Sequence, residues 1–132
     1  PECQVGISFL CRLMSHPSEK AWKAALHMLT WLYEQKDRGI TFSSDGNDVP
    51  IAYSDASNKD DPADGLCQAG YCIMFKGGPI IYQSKKLKHC SPSGDASHVE
   101  YMALGECAKA VVWLRQLMAE IHMWLSRIKW GF

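Results

Sequence analysis

Two carboxylates in this sequence stand where a hydrophobe is expected. Val49 to Ala56 reads as a strand with Ile51, Tyr53 and Asp55 on one face and Ala52 and Ser54 on the other, so Asp55 ends an apolar row. Steps of three and four from Glu100 meet Ala103, Leu104, Cys107, Val111, Leu114, Met118 and Ile121. That is the stripe of a helix packed on a core, and Glu100 heads it. An acid aimed at a core needs a partner or a purpose. Paired carboxylates supply the hard oxygen ligands that Mg²⁺ and Mn²⁺ take, so cation binding is one chemistry open to them. The plainer use is local. Ser97-x-x-Glu100 has the form of a capping box, and a strand-end aspartate commonly caps the loop that follows.

The elements that must hold these residues follow from the chain pattern. Residues 5–14 form a short apolar helix, ended by His16-Pro17. Ser18 then caps a second helix with Glu19 in its first turn, and Trp22, Ala25, Leu26, Leu29, Leu32 and Tyr33 form a stripe expected to be core. Lys36-Asp37-Arg38-Gly39 supplies a basic last turn and a glycine stop. Ile40-Thr41-Phe42 suits a strand, and Ser43 to Asp48 a polar turn. Gln68 to Lys76 and Ile80 to Ser84 read as antiparallel strands joined at Gly77-Gly78. Lys85, Lys86 and Lys88 make a basic cluster, which is ordinarily solvated surface. After the loop Ser91 to Asp95 comes the helix of Glu100, and Ile121, Trp124, Leu125 and Ile128 can prolong it. The acidic stretch Asn58 to Gly65 lacks calcium-loop spacing, with Ser57 and Lys59 where oxygen ligands are needed.

Composition narrows the class. The 132 residues suffice for one domain with a core, and 47% hydrophobic with 21% charged residues is ordinary for a soluble globular chain. Lys plus Arg equals Asp plus Glu at 14 each, so any polyanion-binding surface must be a local patch. No apolar run reaches the roughly 18 residues of a membrane span. Six cysteines without a C-x-x-C pair are expected to be unpaired thiols in a reducing, intracellular compartment. A zinc module built from Cys67, Cys72, His89, Cys90 or His98 would have loose ligand spacing. The start at Pro1 suggests a piece of something larger.

The order of elements, with four motifs, resembles the ribonuclease H region of copia-type retrotransposon Pol polyproteins over roughly residues 5–120. Trp22 to Gly39, ending Trp31-Leu32-Tyr33-Glu34-Gln35-Lys36-Asp37-Arg38-Gly39, is similar to the helix linking reverse transcriptase to ribonuclease H in that family. Tyr53-Ser54-Asp55-Ala56 resembles its first strand with the catalytic aspartate. Gly70-Tyr71-Cys72 through Gly78-Pro79-Ile80 and Ser84-Lys85-Lys86 resemble its hairpin and basic turn. Glu100-Tyr101-Met102-Ala103-Leu104, with Val112-Trp113-Leu114-Arg115, resembles its first helix with the catalytic glutamate.

The resemblance implies an α/β fold with a ribonuclease H-like mixed sheet. It implies a helical linker over residues 1–39 and a partial ribonuclease H-like domain over 40–132, truncated after the first sheet-covering helix. It implies hydrolysis of the RNA strand of RNA–DNA hybrids with two Mg²⁺ or Mn²⁺ ions, Asp55 bridging them and Glu100 holding one. Lys85, Lys86 and Lys88 become candidate phosphate contacts that position rather than specify. The remainder of a Pol polyprotein, including reverse transcriptase, is then the expected partner, in a cytoplasmic particle or the nucleus. No aspartate occurs after Asp95, where the family carries further catalytic acids. The alternative is therefore a catalytically incomplete relic serving as a structural or nucleic-acid-binding piece. A sheet covered by one helix also leaves the stripe from Leu104 to Ile121 partly open, so self-association is expected.

Overall fold

A computed structural model of the chain describes residues 2–46, 48–57, 67–87 and 96–127. In chain order the elements are α1 (Gln4–Arg12), α2 (Glu19–Glu34), β1 (Ile51–Ser57), β2 (Gln68–Phe75), β3 (Gly78–Lys86) and α3 (Ala96–Arg127). Among the described residues this is an α/β arrangement around one three-stranded sheet, order β1-β2-β3. The expected mixed sheet is here antiparallel at both pairings, and β1 lies at an edge. No described helix is long and apolar enough to cross a membrane.

Side chains directly opposite one another in an antiparallel ladder share a face. Ala52, Ser54 and Ala56 pair with Ile73, Tyr71 and Ala69, and these with Ile81, Gln83 and Lys85. That face carries the core. Cys67, Ala69 and Leu87 cluster with Val99 and Ala103 of α3, and Ala56 and Met102 pack against them. Ile73 is fully buried. The residues meeting α3 are mostly small, which lets the helix axis approach the sheet closely.

The opposite face is laid down in rows, Tyr53–Cys72–Tyr82 and Asp55–Gly70–Ser84, ending at Gln68–Lys86. There α1 rests against β3 and is tied by polar contacts to Gln68 of β2. Gln68 Nε2 donates to Ser84 Oγ at 2.8 Å and Ser8 Oγ at 3.3 Å, and Arg12 donates to Gln68 Oε1. The Arg12 guanidinium lies 4.6 Å from the Phe9 ring centre.

Several local expectations shift once packing is seen. Ser18 does cap α2, its Oγ accepting from Ala21 N at 3.2 Å. Yet Trp22, Leu26, Leu29, Leu32 and Tyr33 are exposed, and Ala21 alone in α2 is buried. The helix meets α1 so closely that a Cβ on Gly6 would lie 2.4 Å from Met28 Cε. It ends at Glu34, where Gln35 N bonds to Trp31 O, well before Gly39.

Ile40 to Phe42 forms no strand. Ser43 N instead donates to Lys76 O at 2.8 Å, and the side chains of Ile40 and Phe42 close over the β2–β3 hairpin. Its turn residues are Lys76 and Gly77, with φ of 51° and 84°, one position earlier than Gly77-Gly78. Positive φ at both positions is the backbone of a type I′ turn. Gly78 is a strand residue instead, and must be glycine because a Cβ there would meet the Phe42 ring at 2.7 Å.

The buried stripe of α3 is Val99, Ala103, Cys107 and Leu114. Leu104, Met118 and Ile121, expected to be inward, are exposed. The helix runs unbroken for 32 residues. At ~1.5 Å per residue that is about 48 Å, longer than the sheet beneath it, whose longest strand has nine residues. Among the cysteines, Cys67 is in a disulfide while Cys3, Cys11, Cys72 and Cys107 are free. The expectation of unpaired thiols throughout is corrected at Cys67, whose sulfur is thereby removed from any zinc set.

Candidate functional site

Asp55 is the fifth residue of β1, and its carboxylate is exposed. Because Ala56 turns into the core with α3, alternation sets Asp55 on the other face, opposite Gly70 and in line with Ser84. It opens on a cleft of about 280 Å³ whose lining includes Tyr53, Cys72, Tyr82 and Ser84, with Gln4 and Val5 of α1 at one wall. Ser57 lies on the same face two residues further along, and its buried Oγ has no hydrogen-bond partner among the described residues. In the sequence Ser57 figures only where a calcium loop is set aside; its spacing from Asp55 was the available signal for this face.

Glu100 is the fifth residue of α3, because the helix begins at Ala96. Ser97 is the second residue of α3, and the residues just before Ala96 lie outside the described residues. Glu100 is also off the buried stripe. Its neighbour Val99 is 1% exposed, and Glu100 itself turns to solvent. Among the described residues neither Asp55 nor Glu100 has a hydrogen-bond or ion-pair partner.

Ala56 and Val99 meet in one core cluster, so the two acids are chain neighbours of residues that touch the same core. Strand alternation and helical phase then turn both carboxylates away from it. Asp55 lines the cleft on the α1 face, and Glu100 does not. Two solvent-open carboxylates and a spare hydroxyl are the right donor type for a hard divalent cation. Among the described residues, however, no group of three or more His, Cys, Asp or Glu side chains could hold a metal ion together.

The lysine cluster does not act as one surface. Lys85 and Lys86 are consecutive in β3 and so project from opposite faces, and Lys88 lies outside the described residues. Lys85 Nζ is ion-paired with Glu106 of α3, which also accepts from Lys109 Nζ at 2.8 Å. The hydrogen bonds from Lys109 and then Lys85 pull the Glu106 carboxyl down to about 2. Lys86 sits on the α1 face, in the row after Asp55 and Ser84. Of the zinc candidates, His89 and Cys90 lie outside the described residues. On the core side Cys107 points its Sγ toward Tyr53 O at 4.0 Å, and burial pushes its thiol pKa up, so it is a packing group rather than a nucleophile.

Over most of its length the chain is similar to retrotransposon Pol polyproteins. It is 29% identical over 127 residues to the retrovirus-related Pol polyprotein from transposon RE2 of Arabidopsis thaliana, covering 96% of this chain and 8% of that protein. It is 28% identical over 125 residues to the corresponding polyprotein from transposon TNT 1-94 of Nicotiana tabacum, covering 93% of this chain and 9% of that protein. The chain thus spans under a tenth of each of these polyproteins. It is also 29% identical over 114 residues to secreted RxLR effector protein 161 of Plasmopara viticola, covering 86% of this chain and 79% of that protein. No family model matches the sequence. No solved structure matches it either.

Proposed function

We propose that this chain is the ribonuclease H region of a retrotransposon Pol polyprotein, hydrolysing the RNA strand of RNA–DNA hybrids at Asp55 and Glu100. The observation that carries it is that Ala56 packs against the core cluster to which Val99 belongs, which sets on adjoining elements two solvent-open carboxylates that are unpartnered among the described residues. The similarity to Pol polyproteins along more than nine-tenths of the chain supports the same origin. Asp55 and Glu100 would hold Mg²⁺ or Mn²⁺, which when bound activates a water and steadies the leaving oxygen of a phosphodiester. The protein's own part is to present acids that have no other partner among the described residues. Lys86, on the face of Asp55, would contact a phosphate, and Lys85 and Lys88 are the further candidates. A hybrid would be read by its A-like shape and 2′-hydroxyls rather than by sequence. Reverse transcriptase, preceding the chain, would cover the apolar side chains that α2 leaves exposed.

The test is cleavage of a labelled RNA–DNA hybrid in Mn²⁺ by the wild-type chain, Asp55→Asn and Glu100→Gln. Loss of cleavage in both variants is expected, by about two orders of magnitude or more. Equal cleavage by wild type and Asp55→Asn would reject catalysis at this site.

The catalytically incomplete alternative draws on a different observation. No third His, Cys, Asp or Glu joins either acid in a metal-binding group among the described residues. The chain also covers 79% of a relative whose name is that of a secreted effector. Hybrid binding without cleavage in either Mg²⁺ or Mn²⁺ would select this alternative.

A further inference from the structure

We infer that the cleft between α1 and the open side of the sheet seats a nucleobase of single-stranded nucleic acid, stacked on Tyr53 and Tyr82. The inference goes beyond the proposed function, since it concerns an unpaired strand beside Asp55 rather than the paired hybrid. Tyr53 and Tyr82 both pair with Cys72, from opposite sides, so they stand in one row on one face. They are 59% and 40% exposed, large values for aromatic side chains on the face of a sheet. With neighbouring strands ~4.8 Å apart, the two Cα positions are roughly 9.6 Å apart. A flat heterocycle laid over Cys72 therefore touches one phenol or both.

The next row adds polar groups to the same cleft. Asp55 and Ser84 stand on either side of Gly70, so a carboxylate and a hydroxyl line the cleft beside the two phenols. The cleft of about 280 Å³ has room for one base and its sugar. An aromatic floor with acceptors along one margin suits a ring carrying N–H donors on its edge. Among the described residues no lysine or arginine lines the cleft, which argues against a phosphate on its floor. Lys86 lies one row beyond Ser84, and Arg12 reaches Gln68 in that same row, so cationic side chains stand where the backbone of the strand would leave. Base in the cleft and phosphate at its mouth is the charge pattern of a single-strand site.

The experiment measures binding of a fluorescein-labelled, mixed-sequence single-stranded oligonucleotide by anisotropy. It is run in EDTA so that neither metal binding nor cleavage contributes. Tyr53→Ala and Tyr82→Ala are each expected to weaken binding about tenfold, with Tyr53→Phe and Tyr82→Phe restoring it. A second readout needs no substitution: the Tyr53 and Tyr82 ring protons of the wild-type chain should move upfield as the oligonucleotide is added. Undisturbed ring protons, or folded alanine variants that bind like wild type, would overturn the inference. The two proposals separate cleanly. Tyrosine-dependent binding without Asp55-dependent cleavage keeps this site and removes the hydrolase, and the reverse result does the opposite.

Discussion

Lys85 on β3 and Glu106 on α3 form an ion pair that ties the far strand of the sheet to the helix covering it. The pair spends one of the lysines that the sequence offers to nucleic acid on holding the fold. Lys109 shares the same carboxylate at 2.8 Å, so Glu106 is the centre of a small network rather than half of an isolated bridge.

Removing that carboxylate should have a pH signature. Glu106 titrates near 2 in the folded chain, below the ~4.3 of an unfolded glutamate, so its stabilisation is present above the unfolded value. It is lost as pH falls from about 4.3 through 2. Glu106→Gln should therefore lower stability in urea by about 1 kcal/mol at pH 7, the exposure of Lys109 having screened part of the interaction. The difference from wild type should shrink toward zero near pH 2 and also in high salt. A pH-independent deficit would point to lost packing instead.

Ile73 is the deepest side chain of the sheet, at 0% exposure. Ile73→Ala should cost about 2–5 kcal/mol and Ile73→Val about 0.5–1.5 kcal/mol by urea denaturation. An alanine variant within 1 kcal/mol of wild type, on the order of a surface change, would place the core elsewhere.

The hairpin makes a coupled pair of Phe42 and Gly78. Gly78→Ala should destabilise by roughly 1–3 kcal/mol, because the new methyl and the Phe42 ring claim the same space. In Phe42→Ala that space is free, and the Gly78→Ala penalty should mostly vanish; a double-mutant cycle reads this directly. Gly39→Ala is the control. Nothing lies within 4 Å of its new Cβ, and its effect should stay within about 0.5 kcal/mol.

Apolar surface remains open on both long helices. Leu104, Trp113, Met118 and Ile121 of α3 are exposed, as are Trp22 and Leu29 of α2. Light scattering should show mass rising above 14.8 kDa with concentration as second copies cover these faces. Trp113→Glu should reduce the association, whereas a monodisperse wild-type monomer across the range would contradict it.

The order of elements, the Ser18 cap and the hairpin were legible in sequence because each rests on local chemistry: a hydroxyl beside free amides, or a glycine where φ is positive. The spacing of the α3 stripe was legible too, since Ala103, Cys107 and Leu114 belong to it in either phase. Whether Val99 or Glu100 heads it was not. A period of 3.6 leaves adjacent residues close in phase, and contact between Val99 and the sheet cluster decided between them. The face of β1 was decided the same way. Alternation alone sets Ile51, Tyr53 and Asp55 against Ala52, Ser54 and Ala56, and hydrophobicity favours burying the first row. The tertiary structure turns the second toward α3, with Ala56 half-buried against the core cluster, because α3 can approach the sheet closely only over small side chains such as Ala56 and Ala69. That choice turns Tyr53 and Asp55 out onto the open face, and puts the carboxylate beside a cleft instead of under a helix.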